Sequence, residues 1–149
     1  MKKLLPPVLF ALFSCAIFAL DSLWAGDWVR PLIAPYHHAG WLPLLLGAVL
    51  LACARMQFAR ARTNIYTFDE PGSLVTSGVF AISRHPMYLG FTSVLFGLAL
   101  LLGSGLGLLL AGCFAFIVDH WYIAFEEQWL RSKFGAAYEA YVRRTRRWF

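Results

Sequence analysis

The chain has 149 residues, 60% of them hydrophobic, 17% aromatic and only 14% charged, with a formal net charge of +5. A soluble domain carries roughly 45–50% apolar and about 25% charged residues, so the composition excludes an ordinary water-soluble domain and makes lipid the solvent for most of the surface. The positive excess follows membrane orientation, and no nucleic-acid partner is implied.

Lys2 and Lys3 precede an apolar stretch from Leu4 to about Trp24, and about 20 such residues span a hydrocarbon core. A signal peptide shares this pattern, but no small-x-small cleavage site precedes Asp21, and the reading is a retained transmembrane helix. Pro6 and Pro7 suit its first turn, where missing backbone donors cost little. Ala25 to Gly40 reads as a solvated loop. Its His37-His38 pair lacks the acidic or thiol partner of a metal site.

Trp41 to about Phe58 forms the second expected span, with Trp41 as an interfacial anchor and Arg55 extending its charge to the headgroups. Thr63 to Ser83 is the one long polar segment, with a turn centred on Asp69-Glu70-Pro71-Gly72-Ser73. Its end, Leu74 to Phe80, is too apolar for a solvated linker and is expected against the membrane face or under the helices. From Met87 to Phe125 the chain is almost continuously apolar, and Gly103-Ser104-Gly105 divides it into spans of about 87–102 and 106–125. The first is short for a full crossing and calls for tilt or local thinning. Gly90, Gly97, Gly103, Gly105, Gly107 and Gly112 make close helix contact easy in this hairpin. Cys15, Cys53 and Cys113 lie inside apolar runs, without Cys-x-x-Cys spacing, and read as small apolar residues.

After Glu126 the pattern becomes amphipathic, with Trp129, Leu130, Phe134, Tyr138 and Tyr141 at three- and four-residue intervals. The expectation is an interfacial helix over about 127–144, followed by a basic, aromatic tail (Arg143 to Phe149) suited to anionic headgroups. The fold class is thus all-α: an integral membrane protein of one domain, residues 1–149, with four transmembrane helices and a C-terminal amphipathic helix. Four spans put Lys2, Lys3, Arg55, Arg60, Arg62, Arg84 and the six Lys/Arg after Glu127 on one side, and only Arg30 on the other. The positive-inside rule makes that side cytoplasmic, with both termini. A bacterial inner membrane is the expected location.

The polar residues concentrate at two helix ends, Arg84-His85 before the third span and Glu126-Glu127 after the fourth. A hairpin makes these ends neighbours. An interfacial salt bridge that pins the hairpin is one reading. The other is a site for a zwitterionic ligand, in which the helix start favours an anionic group and the glutamates hold an ammonium or ribose hydroxyls. Tyr88, Trp121 and Tyr122 can pack on a purine or a cationic sulfur, and Gly90 allows close approach of a ligand or a helix. Asp119 and His120 lie about two turns before Glu126, at a depth where ionisable residues are functional candidates. Asp119 and Glu126, seven apart, share a helix face.

Leu74-Val75-Thr76-Ser77-Gly78-Val79-Phe80, followed by Arg84-His85-Pro86-Met87-Tyr88-Leu89-Gly90, resembles the signature of the isoprenylcysteine carboxyl methyltransferase and phospholipid methyltransferase superfamily. Glu126-Glu127, Leu130, Phe134-Gly135, Tyr138 and Tyr141 match its second half, so the likeness runs from about residue 60 to residue 149. The N-terminal helices match only in hydrophobic character. The resemblance implies an integral membrane methyltransferase that binds S-adenosylmethionine on the cytosolic side and takes a lipophilic acceptor through a lipid-facing opening. Carried over, it assigns cofactor contacts to His85, Tyr88, Leu89, Gly90, Glu126 and Glu127. Arg84 is expected to orient the acceptor or the cofactor carboxylate. The chain departs from the pattern in Gly78-Val79-Phe80, where Gly-Pro-Tyr is common, and in Asp119-His120-Trp121-Tyr122, where carboxyl methyltransferases carry arginines.

The expected function is methyl transfer to a membrane-delivered acceptor, either isoprenylcysteine-carboxylate-like or another small lipophilic nucleophile. A carboxylate or thiolate acceptor needs no general base; an amine or phenol makes His120 or Asp119 the candidate base. The alternatives are a phospholipid amine N-methyltransferase and a non-catalytic protein with a salt-bridged hairpin. The partners expected are the bilayer and a lipophilic small-molecule or lipidated acceptor.

Overall fold

The structure, a computed structural model, describes residues 5–23, 30, 34–61 and 74–149. The turn expected at Asp69–Ser73 and the loop residues flanking Arg30 lie outside the described residues. Among the described residues the fold is all-helical: α1 (Pro6–Leu23), a 3-10 segment (Ala34–Gly40), α2 (Trp41–Arg60), the short α3 (Val79–Ile82), α4 (Pro86–Leu102), α5 (Gly105–Ile117), a π-helical turn (Val118–Ile123) and α6 (Ala124–Arg144). Pro6–Leu23, Pro35–Arg60 and Gly105–Arg144 are long and apolar enough to cross a membrane, and Pro86–Leu102 is a shorter apolar helix. Their lengths and composition are those of an integral membrane protein.

The shortest of these apolar helices, α4, sits at the centre and packs on α1, α2 and α5. Its start is fixed by Pro86 in the first helical position, where the missing N–H has no intrahelical partner to lose. Its end is Gly103, at φ +65°, a left-handed cap that glycine adopts without strain. Ser104 then caps α5, its Oγ accepting from Gly107 N–H at 3.0 Å. The break expected at Gly103-Ser104-Gly105 is therefore a cap followed by a cap.

Buried Ile17, Phe91, Leu95, Ala111, Phe114 and Val118 form the core between α1, α4 and α5. Outward-facing Leu12, Phe18, Leu45, Val49, Leu109 and Phe116 stay exposed. An apolar exterior of this kind is ordinary for a surface solvated by lipid.

The glycines divide their work differently from the hairpin expectation. Gly90 and Gly97 face α2, where a Cβ on Gly97 would lie 2.6 Å from Leu44 N and one on Gly47 would lie 2.6 Å from Gly90 O. These contacts bring two backbones together, as small residues do between membrane helices. Gly107 does face α4, with Ala99 Cβ 3.0 Å from its would-be Cβ, but around Gly112 there is nothing within 4 Å.

A second difference concerns the C-terminal half. α5, the π turn and the part of α6 before Gly135 form one continuous helical rod. The helix expected over about 127–144 is the later part of α6, which starts at Ala124 and runs through the Glu126-Glu127 pair. The interruption comes later, at Gly135, whose φ of +48° and ψ of −121° break the helical path. Short α3 is held between helices, with Phe80 edge-on to Phe58 at 4.9 Å and the Tyr141 hydroxyl donating to Phe80 O at 2.6 Å. Phe80, at the end of the apolar stretch, is thus buried among the helices, and the chain beyond it brings Ser83 and Arg84 to the start of α4.

The glycine contacts give a test. Gly97→Val is expected to destabilise the protein by about 2–3 kcal/mol, because the added atoms meet backbone rather than a movable side chain. Gly112→Ala should be neutral or stabilising by up to about 1 kcal/mol. Reversible unfolding in mixed micelles measures both, and equal effects would refute this account of α2–α4 packing.

Candidate active site

The site is built where the start of α4 meets the junction of the π turn and α6. Three residues before Pro86 set its frame. Ser83 Oγ accepts from His85 N–H at 3.2 Å and donates to Arg147 O at 3.1 Å. Arg84 N–H donates to Arg146 O at 3.0 Å. The segment after α6 therefore doubles back as a strap, paired in parallel with the residues that precede α4.

Glu127 is the centre of the cluster, with its side chain only 3% exposed. Arg84 donates to its Oε1, at 2.8 Å from Nη2 and 3.3 Å from Nε. Arg147 donates to it as well, at 2.7 Å from Nη2 to Oε2 and 3.3 Å from Nε to Oε1. His85 Nε2 stands 3.5 Å away, at the outer limit of a hydrogen bond. Arg84 completes its own bonding by donating from Nη1 to Thr145 O.

Glu126 has a different environment. Its side chain is 21% exposed, and it accepts from the Tyr88 hydroxyl at 2.7 Å with His85 Nδ1 at 3.4 Å. A carboxylate offers about four lone-pair sites, so Glu126 keeps acceptor capacity that Glu127 has spent.

The π turn brings in a third carboxylate. In an uninterrupted α-helix, positions seven apart share a face, which stacks Asp119 over Glu126. A π turn takes about one residue more, so Asp119 comes into line with Glu127 instead. One guanidinium reaches both: Arg147 Nη1 lies 3.3 Å from each Asp119 oxygen. Trp148 Nε1 donates to Asp119 Oδ1 at 2.8 Å.

These contacts set the charge states. Burial by itself would lower the pKa of His85, but the hydrogen bonds and negative charges of Glu126 and Glu127 outweigh it and raise the value above the ordinary 6.5. Burial would raise Glu127, yet the hydrogen bonds from His85, Arg147 and Arg84 hold it well below the carboxylate range. His85 thus sits between two carboxylates that favour its imidazolium form.

The cluster unites His85, Tyr88, Glu126, Glu127 and Arg84 from the sequence reading, in altered roles. Arg84, expected to orient a ligand, has a side chain only 9% exposed, with Nε and Nη2 on Glu127 and Nη1 on Thr145 O. Gly90 is filled by Leu51 and Gly47 of α2, so the approach it permits is that of a helix. Leu89 is half-buried in the first turn, its N–H bonded to His85 O at 3.1 Å. His120 lies at the edge of the cluster, its Nδ1 3.7 Å from Asp119 Oδ2. Its side chain is 63% exposed, its ring stacks on Phe116 at 4.1 Å, and its Nδ1 donates to Phe116 O at 3.1 Å.

Arg147 and Trp148 are the residues that the sequence reading missed. They were expected at lipid headgroups with the rest of the basic tail, and the structure corrects this by turning both inward onto Asp119 and Glu127. Nothing local distinguishes Arg147 from Arg143, Arg144 or Arg146. Its selection depends on where the helix stops, at Thr145 with φ −132°.

The profile of the family described as phospholipid methyltransferase matches residues 36–137. The chain belongs to that family. Within the wider superfamily it is 32% identical over 111 residues to protein-S-isoprenylcysteine O-methyltransferase B of Arabidopsis thaliana, covering 71% of this chain and 55% of that protein. It is 33% identical over 104 residues to protein-S-isoprenylcysteine O-methyltransferase of Schizosaccharomyces pombe, covering 68% and 44% respectively. An uncharacterised Haemophilus influenzae protein is 39% identical over 62 residues, 42% of this chain and 98% of that protein. The chain spans about half the length of the isoprenylcysteine methyltransferases that it matches. No solved structure gives a significant match. The family match ends ten residues before Arg147.

Two measurements test the cluster. Glu127→Gln is expected to cost about 3–5 kcal/mol, since it strands buried guanidinium charge, whereas Glu126→Gln should cost about 1 kcal/mol. The His85 contribution has the sign of a raised pKa. It is fully present below the unfolded value of about 6.5 and is lost as pH rises through the folded value. Melting temperature should therefore fall across the alkaline side of that window in the wild type, and His85→Gln should remove this slope.

Proposed function

We propose that this protein is an S-adenosylmethionine-dependent methyltransferase acting on a lipophilic acceptor delivered from the membrane, of the isoprenylcysteine-carboxylate kind or a similar small nucleophile. The observation that carries the reading is Glu126, a part-exposed carboxylate held in place by Tyr88 and His85, beside a buried ion cluster that leaves it acceptor capacity. The donor set fits a zwitterionic cofactor. Glu126 suits an ammonium group or ribose hydroxyls, Arg147 a carboxylate, and the rings of Tyr88 and Tyr122, 6.4 Å apart, a purine or a cationic sulfur.

In this reading His85, Tyr88, Leu89 and Glu126 line the cofactor site, while Glu127 and Arg84 are the frame that positions them. When bound, S-adenosylmethionine supplies a methyl group already activated by its positive sulfur. What remains for the chain is alignment and exclusion of water. His85 stands between two carboxylates whose hydrogen bonds and charge raise its pKa above the ordinary 6.5, so it holds its proton to higher pH than a free imidazole. That favours an acceptor that arrives as an anion, a carboxylate or thiolate. The names of the Arabidopsis and fission-yeast relatives agree with a carboxylate. A phospholipid amine is the alternative acceptor, and its base would be His120 or Asp119.

The membrane arrangement belongs to the same proposal. α1, α2, α4 and the α5–π rod make four crossings of a single domain, and the part of α6 beyond Glu127 lies along the interface. The basic residues place the site and both termini on the cytoplasmic side, in an inner membrane if the source is bacterial.

A second reading, a non-catalytic protein whose hairpin is pinned by Arg84 and Glu127, is favoured by the burial of that pair. Cofactor binding separates the two. Calorimetric titration of S-adenosylmethionine into protein in lipid nanodiscs should show saturable binding, weakened about tenfold or more by Glu126→Gln in a variant that still melts cooperatively. No binding by folded wild type in lipid would sink the enzyme reading and leave the pinned hairpin.

A further inference from the structure

We propose that Arg147 is the carboxylate-recognising residue of this site, giving up Asp119 to take a carboxylate of the cofactor or of the acceptor. The inference rests on the methyl-transfer reading above. It starts from the contrast between the two arginines on Glu127. Arg84 is buried, and its Nη1 is committed to a backbone carbonyl. Arg147 is 37% exposed and holds its two acidic partners unequally. Its Nη2 contact with Glu127 is 2.7 Å, whereas Nη1 straddles both Asp119 oxygens at 3.3 Å.

That asymmetry describes an anchored group with an exchangeable face. Glu127 fixes the guanidinium through Nε and Nη2, and the strap backbone is held at Ser83 and Arg84. A guanidinium has five N–H donors, and among the described residues the Arg147 side chain makes one contact from Nε, one from Nη2 and two long ones from Nη1, both to Asp119. The planar fork it still presents matches a carboxylate. Asp119 can be released cheaply, because Trp148 Nε1 keeps a 2.8 Å hydrogen bond to it.

The test compares S-adenosylmethionine with its decarboxylated analogue, titrated into the full chain in nanodiscs. The wild type is expected to prefer the carboxylated form about tenfold or more. Arg147→Gln should remove that preference while leaving the analogue's affinity within about twofold. Asp119→Asn keeps an acceptor for Trp148 and should shift binding the other way, tightening S-adenosylmethionine several-fold with the analogue unchanged. If the recognised carboxylate is the acceptor's, Arg147→Gln will leave cofactor binding alone and raise KM for a prenylated cysteine with a free carboxylate. Arg147→Lys, which keeps charge without the fork, should recover only part of either effect. Retention by Arg147→Gln of both the cofactor preference and the acceptor KM overturns the inference while the methyl-transfer reading stands. A folded wild type that binds neither compound overturns both. Should Arg147→Gln fail to melt cooperatively, the Asp119→Asn comparison decides, and unchanged affinities there count against the proposal.

Discussion

A buried carboxylate must be neutralised where it stands, and Glu127 imposes that requirement on three separated parts of the chain. Arg84 arrives from the start of α4, His85 from the residue that precedes Pro86, Arg147 from the strap, and Glu127 itself from the first turn of α6. Each contact is ordinary. Together they fix the relative positions of elements that no apolar contact would align so closely, since hydrophobic packing is non-directional and the hydrogen bonds of an ion cluster are directional. The part-exposed neighbour, Glu126, inherits its position from this frame without being consumed by it.

The helical packing works on the same division. α4 has 17 residues, yet its position among α1, α2 and α5 makes it the reference for the others. Glycines at Gly47, Gly90 and Gly97 let α2 approach it backbone to backbone, which leaves the α4 start little freedom to shift. Lipid gives no hydrophobic drive for helices to associate, so close backbone approach and polar contacts carry the association. Both are present on α4, one along its length and one at its beginning.

What the sequence disclosed is what depends on neighbours in the chain. The apolar runs, the Gly103-Ser104 break, Pro86 as a helix start and the meeting of Arg84 with a glutamate all follow from local pattern and charge placement. The glycine faces were not legible, because spacing says that a helix can be approached and not by which neighbour. The strap was hidden for a related reason: Ser83 and Arg147 are 64 positions apart, and a basic, aromatic tail looks the same whether it meets phosphate groups or carboxylates. His120 shows how little spacing says of orientation: its ring lies exposed on Phe116 while Nδ1 stays 3.7 Å from Asp119.

That winding has a consequence in evolutionary terms. A π turn is an α-helix with one residue inserted, and here the insertion separates two sets of constraints on a single rod. Upstream, Phe114 and Val118 must face the core; downstream, Glu127 must face Arg84 and Arg147. Deleting one residue between 118 and 123 would leave a longer and better-wound helix, but it would rotate one half against the other by about 100°. The core or the ion cluster would then turn outward. This stretch should therefore accept changes of side chain far more readily than changes of length.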